Sequence, residues 1–393
     1  MGAQGGLERC PLMPTYAAPT IQFVEGQGCW LTDRDGRRYL DLLSGLAVTS
    51  LGHAHPAVAE AVAAQAQRLV HTSNLFATEH AAPVAQTLDR LLGGGGQVFF
   101  ANSGAEANEC AMKLARKWGG RGRHVIVSAY GSFHGRTMAT LAATGQPAKH
   151  EPFAPMPDGY RHAAWGDLEH LRGAIDDTVA AVIIEPIQGE GGVHPAEREY
   201  LAGIRQLCDE RNLLMVLDEV QTGLGRTGRW FGFQHSEIAP DVVTMAKALG
   251  NGVPISACWA RADVAAAFQP GDHATTFGGN PLCTAAARAT LEVMEDEDVP
   301  ARAQRAGALL RGSLEELPGV ASVRGAGLLL AAELEGLDAR EVAADLLAAG
   351  VIVNAVTPSA LRLAPSLLIT DDEIAEATQR IGAVVDAHRA GGD

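Results

Sequence analysis

The chain has 393 residues, with 31 Lys and Arg against 46 Asp and Glu, a formal charge of −15. At roughly 150 residues per domain this length predicts two or three domains, and a content of 47% hydrophobic and 20% charged residues excludes a wholly disordered chain. The acidic balance argues against a non-specific binder of nucleic acid or of anionic membranes, while leaving room for a small anionic ligand held by a few placed cations.

The first fifty residues are mixed in character. Cys29–Asp33 and Arg38–Leu42 flank Arg34-Asp35-Gly36-Arg37, and Asp-Gly between apolar stretches predicts a hairpin. Pro56 fits the first position of a helix in which Val58, Ala61, Val62 and Leu69 form the apolar stripe. Gly93 to Gly96 reads as a flexible loop ahead of a strand; the strand follows the glycines, so this is no dinucleotide fingerprint. A β-then-α rhythm starts near residue 90. Strands are expected at Gln97–Phe100, His124–Val127, Ala180–Glu185 and Leu213–Leu217, with helices at 104–118 and 197–211. Such alternation implies a mostly parallel sheet covered on both faces. The texture changes near residue 285. A long helix follows Asn280-Pro281, an N-cap and first-turn pair. After it come a helix at 300–317, strands within 320–335, a helix at 338–349, and strands at 351–356 and 361–364. A final helix opens on the capping box Thr370-Asp371-Asp372-Glu373. The organisation expected is an N-terminal segment, 1–50, contributing to a smaller α+β domain; a large α/β domain, 51–285; and the C-terminal α+β part, 286–393.

The six cysteines, Cys10, Cys29, Cys110, Cys208, Cys258 and Cys283, form no CxxC pair, so neither zinc-ribbon nor thioredoxin chemistry is signalled. Buried reduced thiols in a reducing compartment are expected. No apolar run reaches the ~18–20 residues that span a bilayer, no secretion signal opens the chain, and Gly6 stands where a myristoylation motif needs Ser or Thr. The expectation is a soluble cytoplasmic protein.

Three segments carry chemistry. Asn102-Ser103-Gly104-Ala105-Glu106-Ala107 lies where a strand meets a helix, and small residues at a helix N-terminus suit a phosphate; an ordinary βα turn reads the same way. In Leu214-Met215-Val216-Leu217-Asp218 an apolar strand ends in an acid at its C-terminal edge, where open α/β sheets bind ligands. Asp218 is then a partner for a cationic ring nitrogen or a metal, or the cap of a turn. In Val242–Gly250 an apolar, small-residue setting surrounds Lys247. A buried lysine is costly unless paired or covalently modified, and desolvation lowers its pKa towards nucleophilic use. A phosphate cup, a strand-end Asp and a later apolar Lys together suggest pyridoxal phosphate (PLP), which needs a lysine Schiff base and a carboxylate for its pyridinium nitrogen.

The sequence resembles the class III, fold-type-I PLP-dependent aminotransferases, and among them the acetylornithine branch. The resemblance rests on Leu51-Gly52-His53-Ala54-His55-Pro56, Asn102–Ala107, Phe133-His134-Gly135-Arg136-Thr137, Glu185-Pro186-Ile187-Gln188-Gly189-Glu190, Asp218–Gly228, Lys247, Thr275–Pro281 and Leu361-Arg362-Leu363-Ala364-Pro365. These run in order over most of the chain. The resemblance implies a homodimer with PLP at the subunit interface. It makes Lys247 the covalent anchor and proton shuttle, Asp218 the holder of the ring-nitrogen proton, Gln221 the partner of the ring hydroxyl, and Phe133 the stacking ring. Ser103, Gly104 and Ala105 would cradle the phosphate, with Thr276 reaching the phosphate of the neighbouring subunit and Thr275 beside it in the substrate site. Arg136 would read the carboxylate farther from the reacting carbon and Arg362 the nearer one, since a guanidinium binds a carboxylate with two parallel hydrogen bonds. Glu190 would pair with Arg362 when the donor lacks a carboxylate on its reacting carbon.

His53 and His55 read as a structural turn with no metal, His134 as a support beside Phe133, and Glu219 as structural. Thr49, Asn251 and Ala274 depart from the family's usual Asn, Gly and Gly, and Thr49 is expected to touch the substrate pocket. The activity implied is transfer of the terminal amine of N2-acetyl-L-ornithine to 2-oxoglutarate in arginine biosynthesis. Other ω-amine donors (ornithine, succinylornithine, a lysine derivative, 4-aminobutyrate), an aminomutase or decarboxylase of the same fold, and a non-enzymatic PLP module stay open on the residues alone.

Overall fold

The computed structural model describes residues 12–391; Cys10 and Gly6 lie outside them. The chain opens with β1 (Phe23–Gln27), β2 (Trp30–Asp33) and β3 (Arg38–Asp41), an antiparallel meander whose second turn is the expected Asp-Gly hairpin. The central sheet is then laid down as β4 (Gly96–Ala101), β5 (Val125–Ala129), β6 (Tyr160–Ala163) and β7 (Val179–Ile184). A short ribbon, β8 (Ile187–Gln188) with β9 (His194–Pro195), interrupts before β10 (Leu214–Asp218), β11 (Val242–Met245) and β12 (Ser256–Arg261). The C-terminal part supplies β13 (Val320–Ala326), β14 (Leu329–Leu334), β15 (Val351–Ile352), β16 (Asn354–Ala355) and β17 (Ala360–Leu363).

Seven strands make the central sheet, in the order β4-β12-β11-β10-β7-β5-β6. Only β12 runs antiparallel to its neighbours. The interior strands are buried on both faces, and alternate residues divide between two cores. Val127, Val182, Met215 and Leu217 pack with Leu201, Ile204 and Leu207 of the helix Arg198–Arg211. Ile126, Ala181, Leu214 and Val216 pack with Cys110, Met112 and Leu114 of the helix Gly104–Gly119. This period of two, with apolar residues on both sides, is why the strands read as unbroken apolar runs.

Two four-stranded sheets complete the chain: β1-β2-β3-β15 and β13-β14-β17-β16. The segment expected as one strand at 351–356 is divided between them, because β15 pairs in parallel with β3 while β16 pairs with β17. Strand β5 lies at Val125–Ala129, shifted from the expected His124–Val127. The glycine run is corrected too. Gly93–Gly95 turn with positive φ, but Gly96 already belongs to β4, where a Cβ would sit 2.1 Å from Nε1 of Trp259. The capping readings match the structure: Asn280 accepts from the Cys283 amide, and Thr370 and Glu373 form their reciprocal box. Cys29, Cys110, Cys208, Cys258 and Cys283 are buried free thiols. No helix among the described residues is long and apolar enough to cross a membrane.

Arg226 joins the central and C-terminal parts. It is fully buried and donates to the carbonyls of Leu328 and Pro365 and to Ser50 Oγ. Its own carbonyl accepts from the Leu328 amide. Burial lowers the guanidinium to about 9, and no carboxylate pairs with it among the described residues. Gly327 permits the approach: it has φ +52°, and a Cβ there would lie 2.6 Å from the Arg226 carbonyl. Arg226→Met should therefore leave buried carbonyls without a donor and lower stability by about 3 kcal/mol, read from the urea midpoint. A loss under about 0.5 kcal/mol would place the junction elsewhere.

Candidate active site

A cavity of about 410 Å³ opens at the C-terminal edge of the central sheet. Ser103, Gly104, Ala105, Phe133, Arg136, Glu190, Asp218, Gln221 and Lys247 all line it. Nine separate readings of the sequence are thus brought to one place.

One wall is the start of the helix Gly104–Gly119. Ser103 caps it in a reciprocal box with Glu106, and the Asn102 amide also donates to Glu106, at 2.7 Å. The amides of Gly104 and Ala105 fall in the first turn, which has no intrahelical acceptors. Gly104 must lack a side chain, because a Cβ would lie 2.8 Å from Cγ1 of Val220. The result is a close-approach anion cradle at a helix N-terminus.

The floor is Asp218, buried at the end of β10. Its Oδ2 accepts from Asn108 Nδ2 at 2.7 Å and lies 2.9 Å from His134 Nδ1. Its Oδ1 accepts from the Val220 amide at 3.1 Å. Asn108 is itself fixed, donating to the His134 carbonyl and accepting from Thr244 Oγ1 at 2.6 Å. Among the described residues no Lys or Arg pairs with this carboxylate. A buried carboxylate held mostly by neutral donors is a site one cation short.

Lys247 follows β11 with φ +42° and faces the cavity. Withdrawal from water, offset in part by Glu190, Asp218 and Glu185, lowers its ammonium to about 8. Among the described residues its Nζ has no hydrogen-bond partner, which leaves it available to a ligand. Glu185 stands behind it, accepting from the Phe133 amide at 3.1 Å. Burial, and next the charge of Asp218, push its carboxyl well above the usual range.

Arg362 approaches from β17. Its side chain is 1% exposed, and its Nη1 pairs with Glu190 Oε1 at 2.5 Å. It also reaches Gln221 Oε1 and the Gly189 carbonyl, both at 3.3 Å, and Nε donates to Asn354 Oδ1 at 3.0 Å. Burial alone would raise the Glu190 carboxyl, but the adjacent guanidinium holds it below its ordinary value. Arg136 is exposed at the cavity mouth, with Cζ 5.6 Å from the Phe133 ring centroid.

Thr275 and Thr276 do not line the cavity. Thr276 is exposed on a separate cleft with His71, Asn74 and Phe76, and Thr275 Oγ1 accepts from the Gly278 amide at 3.1 Å. Thr49 is not at the cavity either; its neighbour Val48 is, and this corrects the expectation that the Thr49 departure faces substrate. Asn251 takes a left-handed conformation, its Oδ1 accepting from the Leu51 amide at 2.8 Å and its Nδ2 donating to the Gly52 carbonyl. Glu219 faces away from the cavity, accepting from the amides of Gly232 and Phe233, and burial raises it to about 7. His53 bonds Asp41 at 2.8 Å. No group of three or more metal-ligating side chains is present among the described residues.

Residues 13–385 match the family of class III aminotransferases. The chain is a class III aminotransferase. It is 50% identical over 384 residues to the acetylornithine aminotransferase of Corynebacterium efficiens, covering 95% of this chain and 94% of that one. It is 49% identical to the acetylornithine aminotransferase of Mycolicibacterium smegmatis, covering 95% and 96%. Among solved structures, the ornithine aminotransferase of Toxoplasma gondii superposes with a TM-score of 0.92 at 35% identity, covering 97% and 94%. The N-acetylornithine aminotransferase of Stenotrophomonas maltophilia gives 0.83 at 37% identity, covering 95% and 97%. The fold of this aminotransferase is fold type I.

Sequence reasoning missed Glu185, Asn108 and Thr244 as parts of the site. Glu185 carried the signal that marked Asp218, a first acid after an apolar run. The signal Asn108 offered was weaker, a polar residue among the buried Ala107, Cys110, Ala111 and Leu114 of its helix. The lowered pKa makes a prediction for the aminotransferase. In the cofactor-free enzyme, condensation of Lys247 with a small aldehyde should gain rate up to about pH 8 and level off above it, since the neutral amine is the nucleophile. A rate still climbing towards the ordinary lysine range near ~10.4 would show an amine in contact with water.

Proposed function

We propose that the enzyme transfers the terminal amino group of N2-acetyl-L-ornithine to 2-oxoglutarate. The products are N-acetyl-L-glutamate 5-semialdehyde and L-glutamate, and the context is arginine biosynthesis in the cytoplasm. The observation that carries this reading is the Arg362–Glu190 pair beside Lys247. Arginine 362 is the right cation for the carboxylate next to the reacting carbon of glutamate, and the chain carries its own carboxylate to neutralise it when a donor has none there. Relatives named acetylornithine aminotransferase at 45–50% identity support the acyl-ornithine donor.

The cavity fits pyridoxal 5′-phosphate by its donor set: an anion cradle at a helix start, an uncompensated buried carboxylate, and an unpartnered amine. When bound, that group supplies the electron sink that lets the substrate carbon lose its proton. The Gly104 and Ala105 amides and the Ser103 hydroxyl would hold its phosphate, and Phe133 would flank its ring. Gln221 is the donor for its ring hydroxyl. Asp218, held still by Asn108 and His134, keeps a proton on the ring nitrogen. Lys247 Nζ would anchor it, and the same amine is placed to act as the base at the amine-bearing carbon of the substrate. Arg136, at the mouth, takes the distal carboxylate of either substrate with its planar fork.

A second copy of the chain completes the site. Leu75, Phe76 and Phe277 are 86%, 69% and 60% exposed next to Thr276, an apolar surface that a homodimer covers. Thr276, with Thr275 behind it, then serves the partner's cavity.

Two variants test the assignment. Asp218→Asn keeps the shape and loses the charge, and single-turnover rates should drop at least ~100-fold, roughly 2.7 kcal/mol; near-normal rates with cofactor fully bound would give Asp218 another role. Glu190→Ala should leave the glutamate half-reaction unchanged or faster and slow the acetylornithine half-reaction at least about tenfold, because Arg362 then lacks a carboxylate with that donor. Stopped-flow measurement of each half-reaction decides; equal effects on both would reject the exchange.

A further inference from the structure

The loop that carries Glu190 sits on a row of residues crossing the C-terminal sheet. Arg324 on β13 is opposite Ala331 on β14, Ala331 is opposite Arg362 on β17, and Arg362 is opposite Asn354 on β16. Directly opposed residues share one face of a sheet. Both arginines therefore rise from the same face, separated by an alanine that is fully buried. They meet the loop at its two ends. Arg362 Nη1 reaches the Gly189 carbonyl at 3.3 Å, and Arg324 Nε donates to the Gly192 carbonyl at 2.7 Å. Arg324 is held in turn by Glu333 at 2.6 Å, two residues along β14 from Ala331 on the same face.

The loop itself is built for a fixed seat. It closes the β8–β9 ribbon, and the flanking Ile187 and Val193 pack in one small core with Ala331 and Ala360. Its glycines allow close contact. A Cβ on Gly189 would fall 2.2 Å from Gln221 Oε1, and one on Gly191 would fall 2.8 Å from the Gly131 carbonyl. Gly192 has φ +125°.

We infer that Arg324 is a positioning residue for substrate exchange: with Arg362 it clamps the 189–192 backbone, so that Glu190 leaves Arg362 by side-chain rotation alone while the loop stays in place. This rests on the reading of Glu190 and Arg362 given above. A fixed backbone returns the Glu190 carboxylate to the same point each time a donor without a nearby carboxylate enters. Loosening the Gly192 end lets the carboxylate wander, which penalises that donor and spares glutamate, whose own carboxylate meets Arg362.

The test compares wild type, Arg324→Ala, Arg324→Lys and Glu190→Ala as holoenzymes, by amide hydrogen exchange and by separate half-reactions. In Arg324→Ala, amides 189–193 should exchange at least about tenfold faster with β10 unchanged. The acetylornithine half-reaction should slow about tenfold while the glutamate half-reaction stays within about twofold. Arg324→Lys keeps the Glu333 pair as a point charge and should fall between. If Arg324→Ala fails to fold, Arg324→Gln carries the same comparison. Unchanged loop exchange, or equal slowing of both half-reactions, overturns the clamp. If Glu190→Ala discriminates between donors and the Arg324 loop is unaltered, the clamp fails and the exchange reading stands. If Glu190→Ala does not discriminate, the exchange reading fails, and loop exchange alone decides the clamp.

Discussion

Arg362, with 1% of its side chain exposed, carries a charge that is costly to leave without a counter-charge, whereas the equally buried Arg226 meets two carbonyls and a hydroxyl and is lowered to about 9. That constraint on Arg362 organises one half of the cavity. Glutamate supplies a carboxylate at the reacting carbon and an ω-amine donor does not, so a single site for both must contain its own replaceable anion. In the proposed function Glu190 fills that place; it pairs with Arg362, and the same arginine holds its carboxyl below its ordinary range. Gln221 also accepts from Arg362 Nη1 and Asn354 accepts from its Nε, and Glu190 is carried on the loop of the β8–β9 ribbon.

The other half of the cavity solves the opposite problem. Asp218 is a buried carboxylate whose hydrogen bonds come from an asparagine, a histidine and a backbone amide, so it is fixed in position without pairing with a lysine or arginine among the described residues. Glu185, nearby and similarly buried, is pushed upward first by its own withdrawal from water and then by the charge of Asp218. Lys247 lies between the two halves. Its pKa is drawn down by burial and by Arg362 and drawn back by three acids, a balance that places the amine near neutrality instead of near the ordinary lysine range.

Much of this was legible in the sequence for definite physical reasons. Asp218 and Lys247 interrupt apolar runs, and a charge at that place has few reasons to exist other than a ligand. The helix starts at Pro56, Asn280 and Thr370 carry their capping chemistry in a few adjacent residues. The parts that were missed depend on contacts far apart in the chain. Strand β6, Tyr-Arg-His-Ala at the sheet edge, lacks the apolar run of its interior neighbours. Strand β12 runs antiparallel for topological reasons that no local pattern records. Asn108 touches Asp218 across more than a hundred residues, and the Arg324–Ala331–Arg362 row exists only once three strands are in register. Thr276 is exposed away from its own cavity, so the role proposed for it needs a second chain.

The central claim is that one arginine exchanges an internal carboxylate for a substrate carboxylate. Crystal structures of the holoenzyme with an unreactive analogue of each donor test it most directly. With an acetylornithine analogue, Glu190 should remain within hydrogen-bond distance of Arg362. With a glutamate analogue, the ligand carboxylate should take that place, with the Glu190 side chain turned away and the 189–192 backbone unmoved. Glu190 still paired with Arg362 in the glutamate complex, or unpaired from it in the acetylornithine complex, would contradict the account.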